Sequence, residues 1–182
     1  MQPEEDRRPA LILAWWRELQ SDLGARGKLR RCRTPIEAQA LPVTIDLMVR
    51  MGWVPPESDR YDWFGERIAA AAMVLAHVRE DSKQPVARSL GKPPGDDKAF
   101  LSSSRWERLC RAERHENIAT EFTRIVQMLG GTANVIDLYL AIMSWDRTNH
   151  RVKQRWIYAY HDPARQQRVG SVIVEEFVPH QK

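Results

Sequence analysis

The sequence is short of the residues and segments that mark several common protein classes. Only two of its 182 residues are cysteine, Cys32 and Cys110, and neither stands in a CxxC or histidine-containing metal motif. The spacing therefore predicts neither a disulfide framework nor a zinc site. No apolar run approaches the length of about 18 residues that a membrane helix needs, and Met1 to Arg8 carries acids rather than a signal segment. We expect a cytoplasmic protein that contacts no membrane and keeps its thiols reduced.

Catalytic motifs are also missing. The sequence contains no P-loop, no GxSxG and no HExxH motif, and its five histidines share no spacing typical of metal ligands. Asp96 and Asp97 are adjacent in a predicted loop, which makes a poor two-metal site without further carboxylates. We predict a protein that is not an enzyme and needs no metal or cofactor. Because scattered residues can converge in a fold, a helical nuclease or nucleotide hydrolase remains an alternative.

What the sequence does contain is apolar residues at helical spacing along most of its length. In the clearest stripe, Phe64, Ile68, Ala71, Leu75 and Val78 recur every three or four residues, which is the spacing of one helix face. Residues that can cap helix N-termini stand at Thr34, Asp59 or Asp62, Ser104 and Asn134, and glycines suited to helix ends stand at Gly24, Gly52 and Gly130-Gly131. The pattern predicts an all-α fold.

The predicted helices fall into two groups. A polar stretch, Glu80 to Gln84, separates them, and short connections between amphipathic helices favour antiparallel packing in small bundles. We therefore predict two small helical bundles joined by a short linker, with boundaries at 1–84 and 85–162, followed by a C-terminal extension at 163–182. The extension contains the β-like stretch Val169 to Val178. The roles of the extension and of the loop from Lys92 to Ser102 are open.

Positive charge is modest in total but uneven along the chain. The formal net charge is +4 and the pI is about 9.3, so the distribution says more than the sum. Between Asp22 and Glu37 stand five basic residues and no acid, and between Asp146 and Asp162 stand four basic residues and no acid. Local runs of this kind are typical of surfaces that meet polyanions.

The stretch from Ser104 to Arg114, interpreted as a helix, has two unlike faces. Ser104 and Glu107 have the spacing of a capping box at its start. Trp106, Leu109 and Cys110 fall on one arc, and Arg108, Arg111 and Arg114 fall on the opposite side with Arg105 at its edge. The apolar arc can pack inward while the basic side meets phosphates. A single helix of this kind is also typical of an ordinary solvated surface.

Three stretches in a fixed order, over residues 10 to 161, link the basic helices to a known family. The first is Leu29-Arg30-Arg31 with Thr34-Pro35, Leu41-Pro42 and Gly52-Trp53. The second is Val86-Ala87-Arg88-Ser89-Leu90 with Arg105 to Leu109, Arg111-Ala112-Glu113 and Arg124. The third is Met143-Ser144-Trp145 and the basic helix after it. In these features the chain resembles the small subunit of the type I-E CRISPR surveillance complex Cascade, the CasB family.

This resemblance implies an all-helical, non-catalytic subunit of two bundles. It implies as partners the guide RNA and the target DNA, including both strands of the R-loop, together with other Cascade subunits and a second copy of the chain stacked head to tail. It assigns backbone contact with nucleic acid to Arg30, Arg31, Arg88, Arg105, Arg111 and Arg124. The charge pattern alone adds Arg33, Lys92, Arg108, Arg151 and Arg155.

A different class of function fits the same charge pattern. A helical protein-interaction adaptor with no nucleic-acid role would use its basic faces to meet acidic surfaces of partner proteins. Binding to DNA that weakens with salt separates the two hypotheses, since the adaptor should show none.

Overall fold

The chain folds almost entirely into helices, which confirms the all-α prediction. The computed structural model describes residues 7–55, 62–93, 98–145 and 151–161. The helices are α1 (Arg8–Ser21), α2 (Leu23–Arg31), α3 (Pro35–Gln39), α4 (Pro42–Arg50), α5 (Trp63–Leu75), α6 (Val86–Leu90), α7 (Ser103–Cys110), α8 (His115–Met128), α9 (Val135–Ser144) and α10 (Arg151–His161). Two short strands, β1 (Glu80–Asp81) and β2 (Thr132–Ala133), pair in parallel.

Several helices begin at the capping residues from which their starts were predicted. Thr34, Asp62 and Asn134 each accept a hydrogen bond from the backbone N–H three residues on, with N···O distances of 3.3, 2.8 and 2.8 Å. Each bond satisfies an N–H group that has no partner within its own helix. The starts of α3, α5 and α9 are therefore determined by the local sequence.

The prediction that Gly24 ends the first helix is wrong. α1 ends at Ser21, and Gly24 lies inside α2. The side chain of Asp22 accepts the backbone N–H of Ala25 at 2.8 Å, and this cap starts a new helix at Leu23, one residue before the glycine. A capping aspartate thus decides the boundary, and the glycine is only tolerated within the next helix.

The predicted capping box of Ser104 and Glu107 is also wrong. Ser102 is the N-cap of α7, without a capping side-chain hydrogen bond, and Ser104 already lies in the first turn. Glu107 forms an ion pair with Arg111 at 3.1 Å instead of reaching back to the cap. Three consecutive serines offer several possible starts, and the earliest of them, Ser102, is the N-cap.

α5 is the centre of the fold. It packs against three helices that precede it in the sequence, α2, α3 and α4, and against two that follow it, α8 and α9. Ala69 to Ala72 are completely buried within it. Buried apolar side chains from before and after residue 84 form one continuous cluster. The division into bundles at 1–84 and 85–162 stays a prediction, and the structure shows that helices of the two ranges pack on one another.

The polar stretch predicted as a plain connection is partly paired. Glu80 and Asp81 lie opposite Thr132 and Ala133 in the β1–β2 ladder. Asp81 also accepts the backbone N–H of Val135 at 3.0 Å, at the start of α9. This pairing was not predicted, because two residues of strand leave no periodic signal in a sequence.

Some predictions fall outside the described residues. They are the C-terminal extension at 163–182 with its β-like stretch at 169–178, and the residues Asp59, Asp96 and Asp97. Within the described ranges, no helix is both long and apolar enough to cross a membrane. The same ranges contain no group of three histidine, cysteine or acidic side chains arranged to hold a metal ion.

Candidate nucleic-acid interface

The basic run of α2 forms an exposed surface. Leu29 is the buried residue of this helix, so α2 lies on the outside of the fold with one apolar anchor. Arg30, Arg31 and Arg33 are all exposed at its C-terminal end or just beyond it. Together with Arg79, which follows α5 and is exposed as well, we call these residues the α2 surface.

Arg26 connects the α2 surface to the end of α5. Its Nε donates to the carbonyl oxygen of Ala76 at 2.9 Å, and its Nη2 donates to that of Val78 at 3.1 Å. A cation here satisfies carbonyl groups at the negative end of a helix. Burial, together with the charges of Arg30 and Arg79, lowers the pKa of Arg26, which shows that these cations lie within electrostatic range of one another.

His77 reports the positive potential beneath the α2 surface. This half-buried side chain has its pKa lowered from 6.5 to about 4, first by burial and then by the charges of Arg30 and Arg26. The part of this shift that comes from the two arginines indicates that their positive charges act on the same place in the fold. Arg79 and His77 carried no signal in the sequence, because the fold brings them to α2 from about fifty residues away.

A second basic region lies between α7 and α8. Arg105, Arg108 and Arg124 line an open cavity of about 430 Å³, which we call the α7–α8 groove. Its apolar lining comes from Leu101, Leu109, Ile125 and Met128. The Nη1 atom of Arg105 lies 3.8 Å from the sulfur of Met128. The groove therefore combines cationic groups with an apolar floor.

The arginines of the α7–α8 groove share one carboxylate. Glu121 accepts from Arg108 Nε through Oε2 at 3.0 Å, and Arg124 Nη1 donates to its Oε1. The Glu121 side chain is 11% exposed, whereas both arginine side chains are 53% exposed. The carboxylate is therefore the inner member of this cluster, and the cations are the outer members.

Two other predicted arginines are also engaged in ion pairs. Arg111 and Glu107 form an exposed pair on α7. Arg155 on α10 donates to Asp137 on α9 at 2.9 Å, and Asp137 also accepts the backbone N–H of Val86 at 2.8 Å. Burial raises the pKa of Asp137 against the opposing charge of Arg155. The Arg155 contact therefore joins three helices in addition to any role at the surface.

The remaining predicted residues lie elsewhere on the helices and loops. Lys92 and Arg151 are exposed, and Arg88 on α6 is partly exposed. A cation of the last basic run that was not predicted, Lys153, donates to the carbonyl oxygen of Cys110 at 3.0 Å at the end of α7. The structure thus gathers Arg30, Arg31 and Arg33 on one surface and Arg105, Arg108 and Arg124 in one groove. Nucleic-acid contact by any of these residues stays a prediction.

The fold and these surfaces define a class: a small helical protein with two clusters of exposed arginine. The sequence model of the family described as CRISPR-associated protein Cse2 matches residues 25–161. The chain therefore belongs to the Cse2 family, the small subunit of type I-E Cascade, which confirms the family predicted from the arginine-bearing motifs. No curated protein and no solved structure matches the sequence. Family membership makes the chain a structural subunit of a CRISPR Cascade complex.

Proposed function

We propose that this chain is a non-catalytic nucleic-acid-binding subunit that stabilises the R-loop of guide RNA and target DNA within a type I-E Cascade ribonucleoprotein. Its basic surfaces contact the sugar–phosphate backbones of the guide RNA and of both DNA strands. Its protein partners are the other Cascade subunits and a second copy of itself, and it works in the cytoplasm. The observation that carries the proposal is the α2 surface, where Arg30 and Arg31 are exposed side by side and neither has an ion-pair partner among the described residues.

Arginine is suited to this work. Its guanidinium is planar and always charged, and its N–H groups match the spacing of two phosphate oxygens. Arg30 and Arg31 make no ion pair with any residue in the part of the chain that the structure describes. Their charge is therefore available to a polyanion without first breaking an internal contact.

Backbone contact is the form of recognition that such a subunit needs. Phosphate contacts position a strand but carry no sequence information. In RNA-guided complexes the pairing of the guide with its target supplies the sequence choice. A subunit that grips any strand of the right charge and shape therefore supports every guide equally well.

The proposal is tested by reversing charge at once at one arginine of the α2 surface, at one arginine of the α7–α8 groove and at Arg111. The variant Arg31→Glu/Arg105→Glu/Arg111→Glu, assembled into the whole complex, should bind target DNA at least tenfold more weakly, because each reversal replaces attraction by repulsion. The control is Arg17→Glu, since Arg17 on α1 is also exposed but lies outside both regions. Far-ultraviolet circular dichroism of the isolated chain should show unchanged helicity in both variants.

Two results would contradict the proposal. The first is an affinity for R-loop DNA that is unchanged in the triple variant. The second is a loss in the Arg17→Glu control as large as in the triple variant, because this would show only a general effect of net charge. Cleavage of DNA by the isolated chain with added Mg²⁺, lost when Asp96 and Asp97 are replaced, would instead support the nuclease hypothesis.

The adaptor hypothesis has its own supporting observation. Val49 on α4 is 63% exposed, and Ile45, one turn earlier on the same helix, is 38% exposed. Apolar side chains at this spacing on an outer face are typical of surfaces that meet another protein. If the chain is only an adaptor, Ile45→Ser/Val49→Ser should release it from its partner proteins. The charge-reversal variant should then bind DNA as the wild type does.

A further inference from the structure

The α7–α8 groove holds one acid among its arginines, and the placement of that acid is unusual. Each oxygen of the Glu121 carboxylate accepts from a different arginine, one on α7 and one on α8. Glu121 is nearly buried, while Arg108 and Arg124 each remain half exposed. The carboxylate therefore ties together two cations that come from different helices and face the same cavity.

Most of the donor capacity of these two arginines is left over. A guanidinium has five N–H groups, and the contact with Glu121 uses one N–H group of each side chain. Both side chains line the cavity of about 430 Å³, and Arg105, one turn before Arg108, lines it too. Three cations around one open space make a suitable site for a small anionic group such as a phosphate.

We propose that the α7–α8 groove binds one phosphodiester unit of a nucleic-acid strand, and that Glu121 is the positioning residue that holds Arg108 and Arg124 in place for it. The phosphate is bound by the free edges of the two guanidinium groups and by Arg105. The adjoining sugar packs against the apolar floor formed by Leu109, Ile125 and Met128. This inference rests on the proposed function and specifies which cations act as one unit.

Positioning and charge act in opposite directions here. An arginine in water loses rotamer freedom when it grips a phosphate, and Glu121 has already restricted both side chains before the strand arrives. The negative charge of Glu121, however, repels the phosphate. If Glu121 did not position the two arginines, its negative charge would only weaken binding, and its removal would strengthen binding.

The variant Glu121→Asp separates the two effects, because it keeps the charge and shortens the reach by one methylene. An aspartate on α8 cannot span both arginines, so the affinity for single-stranded DNA should fall by about three- to tenfold. The probe is a fluorescent, mixed-sequence single-stranded oligonucleotide, and the readout is its anisotropy with the full chain. The slope of affinity against salt should stay unchanged, since no charge is lost.

The variant Glu121→Gln gives a second, independent test of the positioning role. At roughly 0.3 M salt, where screening shortens electrostatic range, it should bind more weakly than the wild type despite its extra positive charge. In the background Arg108→Gln/Arg124→Gln the same change should no longer weaken binding, because Glu121 acts only through these arginines. Circular dichroism and thermal unfolding confirm that each variant is folded before it is compared.

The outcomes are distinct. If Glu121→Asp binds as the wild type does and Glu121→Gln binds more tightly, the positioning role is wrong. An equal loss with and without the two arginines also overturns it. If charge reversal on the α2 surface weakens binding while the Glu121 variants do not, this inference fails and the proposed function stands. If the wild-type chain and its assembled complex bind no nucleic acid, both fail.

Discussion

The two basic regions of this chain hold their arginines in different ways. On the α2 surface Arg30 and Arg31 have no acidic partner within the described residues, and Arg26 is bound to backbone carbonyls. In the α7–α8 groove Arg108 and Arg124 are bound to a nearly buried carboxylate. The α2 surface therefore concentrates positive charge on side chains, Arg30 and Arg31, that make no ion pair within the described part of the fold. In the groove, the side chains that we propose to bind a strand also pair with a nearly buried carboxylate.

The largest expected effect separates the two regions by stability. Arg108→Ala/Arg124→Ala leaves Glu121 nearly buried and without its cations, which should lower the free energy of unfolding by about 2 kcal/mol. Arg30→Ala/Arg31→Ala removes two exposed cations and should change it by less than about 0.5 kcal/mol. Urea unfolding followed by circular dichroism measures both. Equal losses would erase the distinction between the regions.

The next effect concerns the salt dependence of binding. Each phosphate contact by an arginine adds about 0.7 to 0.9 to the slope of log affinity against log salt concentration. Arg30→Ala/Arg31→Ala should therefore lower this slope by about 1.5 and reduce affinity by roughly tenfold near physiological salt. Titrations with single-stranded DNA at several salt concentrations test this, with Arg17→Ala as the matched control. A slope that Arg17→Ala lowers equally would remove the α2 surface from the interface.

A smaller effect involves pH and the α2 surface alone. The pKa of His77 is about 4 in the folded chain against an ordinary 6.5, so between these values the unfolded chain binds a proton that the folded chain does not. Stability is therefore full above about pH 6.5 and declines as the pH falls toward 4, by about 1 kcal/mol after allowance for partial solvent screening. Unfolding of the wild type and of His77→Gln at several pH values measures this. A decline of the same size in His77→Gln would assign it to other groups.

The smallest effect comes from the exposed pair on α7. Arg111 and Glu107 have side chains that are 79% and 59% exposed, and pairs of this kind contribute about 0.5 kcal/mol or less. Glu107→Gln should leave stability nearly unchanged and strengthen DNA binding by about twofold or less, because it frees Arg111. This is the opposite of the loss expected for Glu121→Gln. The same anisotropy titration compares the two, and a loss in both would show that exposure does not distinguish them.

The sequence predicts those features that depend on neighbouring residues. The caps at Thr34 and Asn134 were predicted, and the cap of α5 was predicted as Asp59 or Asp62, because such a side chain accepts a backbone N–H of the first helical turn. The apolar stripe of α5 was also predicted, and Ile68, Ala71 and Leu75 are buried. Where two local signals compete, as at Asp22 and Gly24, the pattern alone does not rank them.

Features that join distant segments left no such trace. Arg108 and Glu121 are thirteen residues apart on different helices, and Arg155 and Asp137 are eighteen apart. Each of these arginines was predicted from its charge, but whether it stands free or binds an acid depends on how the helices pack. Arg79 was missed because it becomes part of the α2 surface only when α5 ends beside Arg26. The sequence thus predicts which residues are charged, and the fold decides how much of that charge is available.

The completely buried alanines of α5 bear on how the two basic regions are spaced. α5 contacts both α2, which carries Arg30, and α8, which carries Arg124, so it connects the helices of the two basic regions. Methyl groups are the smallest side chains that still define a packed surface, and Ala69 to Ala72 are completely buried. Any bulkier residue there would push the flanking helices outward. The spacing of the two arginine clusters therefore depends on a helix whose buried centre is built from the smallest apolar side chains.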